Sequence, residues 1–208
     1  MPLLDFEKTK KVLKDYNIEI IETKIAENEK EGLKKARSFG YPVVLKVFSP
    51  DVLHRTEKGL VLKDIRNDED FEKSFSKISK LRGVKEKILV QKQVEGIEVA
   101  VGFKRSKTFG PVIMFGLGGI FIEVLKDISF DFPPLGRKEA RGMMRRIKGF
   151  KILEGYRGKE KINFKKMEEV LIGLSELALE NPQIKEADLN PVFCWENKVE
   201  AVDFKLIL

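Results

Sequence analysis

The sequence predicts an α+β protein, and three features of the chain point to that class. Helix-spaced apolar patterns alternate with short β-branched runs. The middle of the chain is dense in strand-like runs punctuated by glycine. The last 25 residues form two apolar runs separated by a polar Glu196-Asn197 break. Helices mixed with antiparallel hairpins fit α+β lobes better than a doubly wound parallel sheet.

Taken in order, Asp5 is placed to cap an amphipathic helix over 5–16 that buries Phe6, Val12, Leu13 and Tyr16. A second helix spans 27–38 and stops at Gly40 and Pro42. Pro42 opens Val43-Val44-Leu45-Lys46-Val47-Phe48, a β-branched run of strand length. A charged loop over 49–59 leads to a short strand at 60–65. Phe71, Phe75, Ile78 and Leu81 then recur at helix spacing over 68–81. Strands are expected at 87–94, 97–103 and 111–115, followed by helices at 138–147 and 164–179. Two terminal strands, 184–193 and 198–207, complete the chain. No repeat of fixed period and no low-complexity tract interrupts this order. The expected lobes are 20–92 and 93–208, together one unit.

Composition narrows the class. The 208 residues are 42% hydrophobic, ordinary for a chain with a packed core rather than a disordered one. No apolar run approaches the roughly 20 residues of a membrane helix. The N-terminus lacks an apolar signal core, and the one cysteine, Cys194, has no internal partner, so a reducing cytoplasm is the expected location. Forty basic against 33 acidic residues leave a net charge of +7, but the two signs are interspersed. The densest basic stretch, 137–151, lacks the aromatic platforms of a single-strand binder. Neither nucleic acid nor membrane is expected as a partner.

The terminal hairpin carries the strongest spacing argument. With Glu196-Asn197 as the turn, Asn190 lies directly across from Asp203. Facing Cβ atoms are about 5 Å apart, so the two oxygen-bearing side chains are placed to share a cation. Such hard oxygen donors suit Mg, which takes one or two protein ligands and completes its shell with water and phosphate. Asp188, two residues before Asn190, adds negative potential on the same face. Pro191 donates nothing to the ladder and favours a bulge. An ordinary polar surface hairpin accounts for the spacing equally well.

Other candidates are individually weaker. Lys46 interrupts an apolar strand, where it either reaches an anion or snorkels from an edge. His54, the only histidine, lies in a loop with Arg55 and Lys58, a setting compatible with a phosphoryl-accepting imidazole or with plain surface. Glu98 is placed to accept from a ribose hydroxyl or to face water, and backbone groups near Gln91 and Val94 are candidates for adenine recognition. Gly116-Leu117-Gly118-Gly119 is neither a Walker A loop nor a dinucleotide fingerprint. It permits a close backbone approach or a tight turn.

Four stretches together carry a more specific signal: GYPVVLKVFSPDVLH (40–54), VEGIEVAVGFKRSKTFGPVIMFGLGGIFIEVLKDISF (94–130), LEGYRGK (153–159) and EADLNPVF with VEAVDFKLIL (186–208). In order and content these resemble the β subunit of ADP-forming acetyl-CoA synthetases (acetate–CoA ligases, ADP-forming). The resemblance implies an ATP-grasp fold, two α+β lobes clasping ATP or ADP. It implies Lys46 and Arg55 at the phosphates, Gln91, Val94 and Glu98 near adenine and ribose, and Asn190 and Asp203 on Mg. It further implies His54 as a transient phosphate carrier and Arg157 as a phosphate or partner contact. The implied partner is a CoA-binding α subunit in a hetero-oligomer. The family loop after the histidine runs Lys-Ser-Asp-Ala-Gly-Gly, where this chain has Arg55-Thr56-Glu57-Lys58-Gly59-Leu60. Two rival functions share the fold: a stand-alone carboxylate–amine ligase, and a regulatory nucleotide binder with an inactive histidine loop.

Overall fold

The computed structural model describes residues 2–48, 60–81, 86–119, 121–158 and 160–208, with 121 and 123 as backbone only. The loop 49–59, and with it His54 and Arg55, lies outside the described residues. The chain divides into two compact units, one formed by Met1–Ile20 with Glu95–Leu208 and the other by Ile21–Val94.

Helix α1 (Phe6–Asp15) opens the chain. The Asp5 carboxylate accepts the Glu7 N–H at 3.0 Å, satisfying one of the helix's orphan donors. Its apolar face docks within the first unit, where the Phe6 ring stacks on Phe204 at 5.6 Å between centroids.

The unit Ile21–Val94 is a four-stranded antiparallel sheet with two helices. Its elements are β1 (Thr23–Ala26), α2 (Glu29–Phe39), β2 (Val43–Phe48), β3 (Val61–Ile65), α3 (Asp68–Leu81) and β4 (Lys87–Lys92). The strand order is β1-β4-β2-β3. Period-2 alternation sends Val43, Leu45, Val47, Ile88 and Val90 into one core with Phe39, Phe71, Phe75 and Ile78. The opposite face carries Thr23, Val44, Lys46, Leu89 and Gln91. Strand β1 was not evident from the sequence: four residues containing a lysine give too little alternation to stand out.

The other unit is built on a six-stranded sheet. Its strands are β5 (Ile97–Ser106), β6 (Gly110–Leu117), β7 (Ile128–Asp131), β8 (Glu186–Cys194), β9 (Val199–Ala201) and β10 (Phe204–Ile207). The path is β10-β8-β5-β6-β7, with β9 also paired to β8. Helices α4 (Arg137–Arg146), α5 (Phe150–Leu153) and α6 (Phe164–Glu180) complete it, with a π-helical turn at Phe121–Leu125. One sheet face buries Val99, Val101, Phe103, Ile113, Phe115, Leu117, Leu189 and Leu206 with α6 residues Leu171 and Leu174 and α4 residue Met143. Polar ties hold the helices in register. Ser129 Oγ donates to Met143 O at 2.8 Å, and the buried Glu168 carboxylate takes Arg141 through Nε at 2.6 Å. Arg105 donates to the carbonyls of Ala178, Asn181 and Ile184 where α6 ends, satisfying orphan acceptors there.

The expected terminal strand 198–207 is broken at Val202-Asp203. Pro191 offers no N–H, and its carbonyl accepts from both Val202 N (2.9 Å) and Asp203 N (3.3 Å). The ladder loosens there, and opposite the same point the β5–β8 register shifts between Val99 and Val101.

Gly173 sets how closely the segment after α1 lies on α6. A Cβ at this position would come 2.2 Å from the Tyr16 carbonyl oxygen, a backbone atom that cannot swing aside. Gly173→Ala gains about 1 kcal/mol of helix propensity. Overpacking against backbone costs about 1–3 kcal/mol. The expected outcome is a lower melting temperature in differential scanning calorimetry, by roughly 2–6 °C for a chain of this size. A stabilised variant would contradict this packing.

Candidate functional site

The hairpin of β8 with β9 and β10 builds the first part of the site. Trp195 N donates to Lys198 O at 2.9 Å and closes the two-residue Glu196-Asn197 turn. Val192 pairs with Ala201 before the break, and Leu189 with Phe204 after it, so the register is continuous across the gap. Asn190 therefore lies opposite Asp203, and Asn190 N donates to Asp203 O at 3.0 Å. Asp203 Oδ1 accepts the Phe204 N–H at 3.0 Å, which orients the carboxylate. The Asn190 side chain is exposed, and no described residue hydrogen-bonds to it.

Leu189, Phe204 and Leu206 point into the core, so alternation turns Asp188, Asp203 and Lys205 to the opposite face of the sheet. Lys205 stands directly across from Asp188. Burial pushes the Asp188 carboxyl above its ordinary pKa. Lys205 opposes that shift, while Asp203 and Glu186 add to it. Asp188, Asp203 and Glu186 thus share one patch of sheet with Lys205, and Glu186 is also paired with Lys104 at 2.9 Å. Among the described residues no three His, Cys, Asp or Glu side chains form a metal cage. The Asn190–Asp203 pair instead fits Mg, whose remaining positions are filled by phosphate and water.

Glu98 lies on β5, on the same face of this sheet, and is half-buried. The glycine cluster owes two of its members to it. Gly118 N donates to Glu98 O at 2.8 Å. A Cβ at Gly118 would meet Glu98 Cβ at 3.0 Å, and one at Gly119 (φ +59°) would meet Glu98 Oε2 at 3.0 Å. The close approach that the sequence left unassigned is therefore an approach to the Glu98 carboxylate. Asp127, which the sequence did not mark, is buried and accepts the N–H groups of Lys148 and Gly149, both at 2.7 Å. Its role is to seat the start of α5.

In the other unit Lys46 is only 6% exposed, between Leu89 of β4 and Val61 of β3. It sits on the sheet face away from α2 and α3. Gln91 shares that face, but its amide is already engaged, with Nε2 donating to Thr23 Oγ1 at 2.8 Å. Thr23 Oγ1 in turn donates to Ile21 O at 2.8 Å, a buried relay without a local signal in the chain. Strand β4 has neighbours on both sides, so the Gln91 backbone is committed to the ladder. Val94, past the end of β4, is half-buried, and no described residue hydrogen-bonds to its backbone. Arg157 belongs to the unit of the six-stranded sheet. It is exposed, in the left-handed region at φ +54°, with its guanidinium 5.4 Å from the Tyr156 ring centroid.

Two lobes of antiparallel sheet and helix, one with a buried strand lysine and the other with an Asn–Asp pair, define the ATP-grasp class. The family model of the ATP-grasp domain matches residues 2–208. The β subunit of acetate–CoA ligase (ADP-forming) I from Pyrococcus furiosus is 42% identical, with 100% of this chain and 92% of that one covered. The acetate–CoA ligase (ADP-forming) I of Archaeoglobus fulgidus is 44% identical over 95% of this chain, which spans only 30% of that longer polypeptide. Two structures of Ca. Korarchaeum cryptofilum acetyl-coenzyme A synthetase 1 superpose over 100% of this chain and 93% of theirs. The one with coenzyme A and Ca-AMPCP gives a TM-score of 0.92 at 32% identity. The one with coenzyme A and Mg-AMPPCP, its phosphohistidine segment pointing towards the nucleotide binding site, gives 0.85 at 34%. The chain belongs to the ATP-grasp family, in the branch of the ADP-forming acetate–CoA ligase β subunits.

The Asp188 environment has a measurable consequence. Its folded pKa lies above the unfolded value, so its favourable contribution is present at low pH and is lost as pH rises through the folded pKa. Asp188→Asn fixes the neutral form. In metal-free buffer the variant should melt higher than wild type at neutral pH, and the two should converge in acid. Equal melting curves across that pH window would show that burial, with the neighbouring carboxylates, does not disfavour the Asp188 charge.

Proposed function

We propose that this chain is the nucleotide-binding β subunit of an ADP-forming acyl-CoA synthetase, moving a phosphoryl group between a phosphohistidine and ADP. The observation that carries the reading is Asn190 facing Asp203, with Asp188 beside them, in a chain that matches a β subunit over nearly its whole length. Asn190 and Asp203 would hold Mg, which would offset the phosphates' negative charge as the phosphoryl group moves. The protein groups do the positioning. Lys46, enclosed and held on a strand, contacts the nucleotide phosphates. Glu98, pinned by Gly118 and Gly119, accepts from ribose, and the Val94 main chain meets adenine. Arg55 and Arg157 add phosphate or partner contacts. In the ATP-forming direction the phosphohistidine N–P bond breaks as a β-phosphate oxygen of ADP forms the new P–O bond, and the imidazole keeps the electron pair. Such a loose transfer asks for alignment and charge neutralisation rather than covalent machinery, which suits a small chain.

The Archaeoglobus relative carries the matching segment as 30% of one polypeptide. We assign acyl and CoA recognition to a separate α subunit, with His54 carrying phosphate between the two chains in the cytoplasm. Isolated chain should bind Mg-ADP in titration calorimetry yet form no ATP from acyl-CoA and phosphate until the α subunit is added. Turnover by the chain alone would overturn the subunit assignment.

Two substitutions separate the roles. Asp203→Asn should weaken ADP binding in Mg by about 10–100-fold, the scale of losing a metal contact. In EDTA it should leave ADP binding nearly unchanged. His54→Asn should keep Mg-ADP affinity within about twofold while abolishing ATP formation with the α subunit present. Full turnover in that variant would remove His54 from the reaction.

A further inference from the structure

We propose that an aromatic patch at the β6–β7 margin of the six-stranded sheet is the surface on which the α subunit docks, a proposal that rests on the β-subunit reading above. Phe109 in the β5–β6 turn is 69% exposed, Phe130 on β7 is 54% exposed, and Phe132 just beyond it is 53% exposed. The Phe109 and Phe132 rings touch, 6.2 Å apart and tilted. Phe130 pairs with Met114, so half-buried Val112 and Met114 extend the patch along β6. Three phenylalanines at these exposures present on the order of 350 Å² of apolar surface, within the range that marks functional patches on monomers. Polar pairs rim it: Lys104 with Glu186 at 2.9 Å and Arg146 with Asp131 at 2.8 Å. An aromatic centre with an ion-paired rim is the anatomy of a protein interface.

The edge geometry limits how a partner can bind. Strand β7 ends the sheet, but Arg146 Nη2 donates to Phe130 O at 2.9 Å and to Asp131 Oδ2. A guanidinium occupying an edge carbonyl disfavours the addition of another strand. What remains available is packing on the face through the phenylalanine rings.

The face itself selects the occupant. Phe130 and Met114 alternate out of the helix-packed core onto the side of the sheet that bears Asp188, Asn190 and Asp203. The margins β7 and β10 are four strand spacings apart, about 19 Å. A chain that delivers phosphate, through His54, towards the metal-bound nucleotide approaches the side of the sheet that would hold it, and an anchor at its far margin leaves the metal end open. A second copy bound here would lie over the side of the sheet that must receive phosphate. The relatives also supply the occupant's scale: where the two functions share one polypeptide, this segment is 30% of its length.

The test uses the full chain with the CoA-binding chain that restores acyl-CoA-dependent ATP formation to it. The double variant Phe109→Ser/Phe132→Ser is compared with Leu179→Ser, a control at an exposed leucine of α6. The double variant should raise the α-subunit concentration needed for half-maximal ATP formation at least tenfold. It should leave turnover at saturating α subunit, Mg-ADP affinity and melting temperature as in wild type, and the control should change nothing. Phe109→Ser alone serves if the double variant melts early, with a smaller shift in the same direction. An unchanged half-saturation with intact Mg-ADP binding overturns the docking surface and leaves the proposed function standing. A wild-type dimer that the double variant dissociates makes the patch a self-interface and also overturns it. Failure of the wild-type chain to bind Mg-ADP sinks the functional reading instead.

Discussion

Strand β8 is paired along its length, to β5 on one side and to β9 and β10 on the other, and its register fixes both the core and the site. A slip of one residue would turn Ala187, Leu189, Val192 and Cys194 out of the core and bring Asp188 into it. Burial of those side chains is therefore the same constraint that presents Asp188, Asn190 and Asp203 together. Pro191 lies within this strand. Its missing N–H interrupts the ladder beside Asn190 and Asp203 without shifting the register beyond it, so Leu189 still meets Phe204 and Val192 still meets Ala201.

The helix-covered side of that sheet is closely packed, and its polar groups are spent on structure. Ser129, Arg105, Asp127 and the Glu168–Arg141 pair each bind a helix end or join one helix to another. The opposite side carries small residues in the middle, Ala100, Gly102 and Gly116, with charge at one margin and phenylalanine at the other. This asymmetry follows from period 2 in the strands combined with helices on a single side. A sheet covered on one side by helices leaves its other side for ligands, and the residue types there follow that division.

Much of this could be read from the sequence. The two-residue Glu196-Asn197 turn and strict alternation gave the hairpin register outright, since local chemistry determines a tight turn and period 2 carries it along the strand. The apolar run at 43–48 located the buried lysine for the same reason. Contacts between distant segments were not legible. Nothing local announces that Phe6 stacks on Phe204, so the membership of α1 in the C-terminal unit was not foreseen. Gly118 and Gly119 looked like a ligand loop or a turn, because a glycine records that something comes close without recording what. Gln91 was expected at the adenine, and its buried bond to Thr23 depends on a strand too short to stand out in the sequence.

On the proposed function, the Asn190–Asp203 pair and the aromatic patch share one continuous sheet, and this has a mechanical consequence. Phosphoryl transfer loses rate steeply with small misplacements of donor and acceptor, so the incoming phosphohistidine has to be held to within a fraction of an ångström. Loops at the metal pair would need to be both open to the nucleotide and rigid toward the partner, and these demands conflict. A hydrogen-bonded sheet resolves the conflict by separating them in space. The β6–β7 margin can be anchored through rigid side chains with few torsions, while the β8–β10 margin presents Asn190 and Asp203. The strands between them, filled by Val99, Val101 and Phe115 against α6, transmit position with little compliance. On the proposed reading, the rigid core and the exposed rings have one physical explanation: a partner would be positioned at one margin so that chemistry could proceed at the other.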